Sequence, residues 1–184
     1  GLHGLGWTSN WDVSFAIDDD GNTAIQFGGW PRWTFEPDTR GGYIGPIGFG
    51  GSLRVDGGEY LLDTLERVYH FSAAGLLTLI EDQHGNTITV SHIDGNLTQL
   101  LHSSGRSLSI TYNGADLVES VVDDDGLELT YAYDATNSYL LGMVSSEGKS
   151  ESYTYETTVA ASMHGLLTRT VNGLVHQSFS PLSR

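Results

Sequence analysis

The chain has 184 residues, 39% of them hydrophobic and 17% charged, with 24 glycines and no cysteine. That composition suits one domain or a short array of repeats with many turns, and it excludes disorder, disulfides and zinc-thiolate sites. A formal net charge of −15, from 23 acidic against 8 basic residues, argues against nucleic acid and anionic membrane surfaces, which are held by clustered Lys and Arg.

The opening GLHGLGW has neither a basic start nor an apolar stretch of signal-peptide type, and no run is apolar for long enough to insert in a bilayer. Lacking an initiator Met, the chain is expected to be a processed product or a part excised from something longer. Residues 1–60 hold all four tryptophans, Trp7, Trp11, Trp30 and Trp33, and three of the four prolines. The segments FGGWPRWTFEPD and GGYIGPIGFGG punctuate short strands such as DVSFAID and TAIQF, because Gly and Pro at this density prevent a long helix. This part reads as a β lead-in or cap. Its four tryptophans have two readings: large rings that plug the start of a sheet, or a carbohydrate-binding surface on which sugar rings stack.

Residues 61–184 read as repeats. Gly85, Gly105, Gly126 and Gly148 fall 20, 21 and 22 residues apart, a period that signals an array. The third, fifth and seventh residues after each glycine are Ile88, Val90, His92; Leu108, Ile110, Tyr112; Leu129, Tyr131, Tyr133; and Glu151, Tyr153, Tyr155. Small, polar or acidic residues lie between them, the alternation of a half-buried strand. A turn follows, DGN at 94–96 or NGAD at 113–116, and then an apolar pair four residues apart: Leu97 and Leu101, Leu117 and Val121, Leu140 and Val144. In a regular strand such a pair shares one face. Each unit is therefore a hairpin, and each glycine marks a tight turn onward in which positive φ is expected. Upstream, RVYHFSAAGLLTLIEDQHG reads as a further unit. After Gly173 the apolar phase slips to Val175 and Phe179, so the last unit is either bulged or follows a register other than that of the preceding units. The expected fold is all-β, an array of stacked β-hairpins forming a continuous antiparallel, curved or spiralling sheet.

The units GNTITVSHIDGNLTQLLHSSGR, GRSLSITYNGADLVESVVDDDG and GLELTYAYDATNSYLLGMVSSEG, the last containing Tyr133-Asp134, resemble the RHS or YD-repeat family. GLGWTSNWDVSF, with the later LERVYHFSAAGLLTLIEDQHGNTITVSH, is similar to the segment that introduces such repeats in bacterial and archaeal members. The resemblance covers about residues 1–156 and implies a β-ribbon that spirals into a hollow shell, often around a toxin, or that builds the extracellular barrels of teneurins. It points to a non-enzymatic structural or interaction module of a secreted or cell-surface protein. The partners implied are further YD repeats of the same chain or identical subunits, joined through sheet edges into a shell or filament. Cell-surface glycans are the partners of an alternative adhesion reading, and a fragment of a toxin-encapsulating shell is a third. The four to six units seen are fewer than a full shell needs, and the aspartyl self-cleavage motif of toxin-carrying barrels is not found.

Other chemistry is weakly signalled. The acidic runs IDDDGN and VVDDDGL suit a hard cation but lack the later Glu of an EF-hand, and Asp-Gly is an ordinary turn, so plain turns are expected. The seven histidines form no His-x-x-x-His pair, and no Gly-x-Ser-x-Gly elbow occurs. No catalytic residue, cofactor or metal is assigned. Asn96-Leu97-Thr98 is a glycosylation sequon at a hairpin turn.

Overall fold

A computed structural model describes residues 2–156 and 165–179. Among them the chain forms seventeen strands and no helix, and the strand pairings are antiparallel. Two compact units emerge, Ser9–Ser107, and Gly1–Thr8 together with Leu108–Arg184.

The Ser9–Ser107 unit opens with a four-stranded sheet in sequence order: β1 (Val13–Ile17), β2 (Thr23–Phe27), β3 (Trp33–Pro37) and β4 (Tyr43–Ile44). Hairpins follow: β5 (Ser52–Asp56) with β6 (Glu59–Asp63), β7 (Arg67–Phe71) with β8 (Leu77–Asp82), and β9 (Thr87–Ile93) with β10 (Asn96–His102). Each also pairs with the next, β6 with β7 and β8 with β9. The lead-in sheet lies against these hairpins through aromatic rings. Phe15 of β1 stands 5.0 Å from Tyr60 and 5.2 Å from Phe71, and Phe27 of β2 stands 4.7 Å from Tyr69. Ile25, Phe35, Leu62 and Phe71 are fully buried, so the apolar core of this unit sits between its two sheets. The hairpins begin at Ser52, and residue 60, the boundary drawn from composition, lies inside β6.

The other unit consists of β11 (Ser107–Tyr112), β12 (Val118–Asp123), β13 (Glu128–Tyr133), β14 (Leu140–Ser145), β15 (Ser150–Tyr155), β16 (Leu166–Val171) and β17 (Leu174–Ser178), each paired with its successor. The first residues of the chain lie across these strands. The Leu2 carbonyl accepts from Val118 N–H at 2.9 Å, and Leu5 N–H donates to the Ser138 carbonyl at 2.8 Å.

Two kinds of turn make the array. Gly57-Gly58, Asp94-Gly95 and Asn172-Gly173 are two-residue connections with positive φ at both positions, the hairpin turn whose twist matches that of the strands. Ser72–Leu76, Asp82–Asn86, His102–Arg106, Asn113–Leu117, Asp123–Leu127 and Ser145–Lys149 share a five-residue pattern. The first residue donates its N–H to the fifth carbonyl, and its own carbonyl accepts the fourth N–H. The fourth residue is therefore left-handed, as at Gly85 (φ 80), Gly105 (φ 94), Gly126 (φ 85) and Gly148 (φ 84). No atom lies within 4 Å of the position a Cβ would take at Gly126, so backbone conformation alone calls for glycine there.

The first residue of such a turn fastens it with its side chain. Asp82 Oδ1 accepts from the N–H groups of His84 and Asn86, Asn113 Oδ1 from those of Ala115 and Leu117, and Asp123 Oδ1 from those of Asp125 and Leu127. Carboxylates and amides do this because their oxygens reach the backbone N–H two and four residues on.

The returning strands depart from the regular alternation expected of them. Thr78, Thr98, Glu119, Leu141, Leu167 and His176 are each skipped in the pairing register. Such a bulge turns the side chains beyond it to the other face. Leu97 and Leu100 are consequently buried while Leu101 is 41% exposed, and Leu140 is buried while Val144 is 53% exposed. Residues four apart thus do not share a face here. The phase slip after Gly173 is one of these bulges, at His176.

Candidate functional site: an aromatic cleft

The Ser9–Ser107 unit contains a cleft of about 630 Å³, within the roughly 300–1,000 Å³ typical of small-ligand sites. Trp11, Trp30 and Trp33 line it, together with Phe27 and Tyr69. The turn between β2 and β3 presents Trp30: its N–H donates to the Phe27 carbonyl at 2.9 Å, and its carbonyl accepts from Gln26 Nε2 at 3.0 Å. Trp33 is steadied by Phe49 at 4.9 Å and stands edge-on to Phe27 at 6.4 Å. Trp30 is 63% exposed, so burial does not explain its size.

Polar groups stand along the same walls: Asn10, Glu66, Arg67, Asp82, Asn86 and His102. Asp82 belongs to its own turn, where hydrogen bonds from Asn86, first its side-chain amide and then its backbone N–H, hold the carboxyl below its ordinary range. His102 Nδ1 accepts from Ser104 N–H at 3.1 Å, which leaves the ring proton on Nε2 as a donor. The loop between β6 and β7 carries Thr64 and Glu66 to the cleft, Arg67 opens β7 beside them, and within the loop Leu65 adopts φ 70. A left-handed leucine is a strained backbone held by its surroundings. Here Leu65 N–H donates to Asp63 Oδ1 at 2.9 Å, and its carbonyl accepts from the Gln83 side chain.

Trp7 stands apart from the other three tryptophans, in the unit of the later repeats. Its indole N–H donates to the Tyr155 hydroxyl at 2.7 Å, and its ring lies 4.6 Å from Tyr153. In turn the Tyr155 hydroxyl donates to the Leu140 carbonyl at 2.6 Å, and the Tyr133 hydroxyl makes the same bond to Val118 at 2.7 Å. Tyr153 donates to Glu151 Oε2 at 2.7 Å, and the Arg169 guanidinium clasps that carboxylate at 2.6 and 2.8 Å. Burial raises the Tyr133 phenol to about 12, and burial with the Glu151 carboxylate does the same for Tyr153. Tyr131 stacks with His3 at 5.0 Å, and Tyr112 ends β11 opposite Val118. These tyrosines lie on β11, β13 and β15, and Gly85, Gly105, Gly126 and Gly148 stand in the turns before β9, β11, β13 and β15.

The acidic runs are turns. Asp18 binds the N–H groups of Asp20 and Asn22 and the Asn22 side chain, just as Asp123 fastens its own loop. Among the described residues no group of three or more His, Asp or Glu is placed to hold a metal. Asn96 opens β10 directly after the Asp94-Gly95 turn. The cleft itself was only partly legible: the tryptophans marked it, but Arg67, Glu66 and His102 lie in unremarkable sequence and are brought there by hairpin packing. No family model matches the chain, and no curated protein matches it.

Proposed function

We propose that the chain is a non-enzymatic structural and interaction module of the YD-repeat type, outside the cell, that grows by adding further β-hairpins at its sheet edge. The resemblance of its units to that family supports the repeat assignment, together with one hydrogen-bond pattern that recurs in six turns between β7 and β15 and also closes Asp18–Asn22 and Asp38–Gly42 in the lead-in sheet.

The observation that carries the assembly reading is β17. All five of its residues are exposed, with Leu174 at 76% and Val175 at 65%. Among the described residues it pairs with β16 alone. Its outer N–H and C=O groups face no strand among the described residues, and its sequence, LVHQS, carries neither the Pro nor the Lys that natural edges use against pairing. Earlier in the same unit, Leu140 of β14 and Tyr153 of β15 are buried. A following hairpin, from the same chain or from another copy, would satisfy that edge by strand addition.

Sedimentation velocity over a wide concentration range tests this. Reversible, open-ended association is expected, and Val175→Lys with Leu174→Lys should return the protein to monomer. A wild-type protein that stays monomeric at its highest attainable concentration overturns the assembly reading.

A further inference from the structure

We propose that the cleft of the Ser9–Ser107 unit binds a short neutral oligosaccharide whose sugar rings have flat apolar faces, with Trp11, Trp30 and Trp33 as its stacking platforms. The observation behind this is a difference among the four indoles. A tryptophan used for packing also satisfies its N–H, as Trp7 does on Tyr155. Among the described residues Trp11, Trp30 and Trp33 have no hydrogen-bond partner at the indole nitrogen, and all three line one concave space. Three apolar faces with three unused donors beside them match the surface of a pyranose, where C–H faces alternate with a rim of hydroxyls.

The polar groups of the cleft complete that match. Glu66 offers acceptor oxygens, Arg67 a fork of donors, and His102 an Nε2–H donor; among the described residues neither Glu66 nor Arg67 is engaged in an ion pair. A neutral ligand with many hydroxyls uses both kinds of group at once. Charge selects further. Two carboxylates stand against one guanidinium in the cleft, and the whole chain carries −15, so uronate-bearing or sialylated sugars are repelled. Rings whose hydroxyls are all equatorial leave both faces apolar, and β-1,4 linkage keeps successive rings flat enough to lie along several indoles. The strained Leu65 fits the same reading, since it fixes the loop that brings Glu66 to the rim beside Arg67.

The test is titration of the full chain with cellotetraose and with tetra-N-acetylchitotetraose, followed by tryptophan fluorescence and calorimetry, with tetragalacturonate as the acidic control. At least one neutral probe is expected to bind and the acidic one not to. Trp30→Ala should weaken binding roughly tenfold or more, the equivalent of about 1.4 kcal/mol. Trp30 is exposed and its loss leaves the core intact, which unchanged circular dichroism will check. Trp7→Phe should leave binding unchanged. Failure of both neutral probes at millimolar concentration overturns the proposal, as does binding that survives Trp30→Ala and Trp11→Ala, or preference for the acidic probe.

Discussion

The hydroxyl of Tyr133 donates a 2.7 Å hydrogen bond to the carbonyl of Val118, fifteen residues earlier and on the preceding hairpin. Tyr155 repeats the relationship with Leu140 across the same interval. Val118 and Leu140 each stand beside a bulge, at Glu119 and Leu141, where the ladder is interrupted and a carbonyl is left for another donor. The residue after Tyr133, Asp134, closes the next turn by accepting from the N–H groups of Thr136, Ser138 and Tyr139. A tyrosine followed by an aspartate thus does two jobs at one strand end: it ties back to the previous hairpin and fastens the turn ahead.

Tyr133→Phe should therefore lower stability by about 0.5–1.5 kcal/mol, the net worth of a hydrogen bond, with some added cost if the carbonyl is left dry. Tyr131 is its counterpart without such a bond: its ring meets His3, and its hydroxyl has no partner among the described residues. Tyr131→Phe should change stability by less than about 0.5 kcal/mol. Urea denaturation of the two variants checks the contrast, and equal losses would show that the hydroxyl bond is not what matters.

Stability should fall in alkali. The phenols of Tyr133 and Tyr153 are raised to about 12 from an ordinary value of 10. Between those values the unfolded chain releases the protons while the folded chain keeps them. The stabilisation is complete below pH 10 and is lost as pH rises toward 12. On the acid side Asp134 is held at about 2, first by the Thr136 hydroxyl and then by backbone N–H groups. Its contribution is present above its ordinary 3.8 and disappears as pH falls through about 2. Urea midpoints across both ranges test this, and Tyr133→Phe should remove its own share of the alkaline loss.

Much of this architecture was legible because it is local. The twenty-odd-residue spacing of glycines, the alternation in LELTYAY and the Asp-Gly pairs each follow from turn and strand chemistry confined to neighbouring residues. What the sequence hid depends on residues far apart. A bulge at Leu141 or Thr98 arises from pairing across a hairpin, so reading Leu140 and Val144 as one face was reasonable on periodicity and incorrect in three dimensions. Likewise, the four tryptophans look like one group in the first 33 residues. Only tertiary packing gives Trp7 to Tyr153 and Tyr155, and the other three to a cleft.

Two turn glycines with the same φ should differ in what alanine does to them. Gly85 has φ 80 and nothing within 4 Å of its would-be Cβ, so Gly85→Ala should cost only the left-handed conformation, about 1–2 kcal/mol. Gly75 has φ 79, but a Cβ there would stand 2.6 Å from Phe15 Cδ1, and Phe15 packs on Phe71 in the core. Gly75→Ala should cost that amount plus roughly 1–3 kcal/mol for displacing the ring. Denaturation midpoints of the two variants decide it: indistinguishable losses would mean that Phe15 does not press on the turn.

The Glu151–Arg169 clasp should prove to be a coupled unit. Glu151 lies half-buried on β15, and Arg169 stands opposite Tyr153 on β16, so the guanidinium bonds both carboxylate oxygens while Tyr153 donates to one of them. The guanidinium, more than the Tyr153 hydroxyl, holds the Glu151 carboxyl below its usual range. Arg169→Met removes that compensation and leaves a partly desolvated carboxylate, so its melting temperature should fall further than that of Glu151→Gln, which removes a charge. The double variant Glu151→Met with Arg169→Met should recover part of the loss, because no uncompensated charge remains. Glu151→Gln should also bring the Tyr153 phenol down from about 12, since burial then acts without the adjacent carboxylate, and an ultraviolet titration reads this directly. Additive melting shifts together with an unmoved Tyr153 would show three side chains that merely lie close, rather than one network joining β15 to β16.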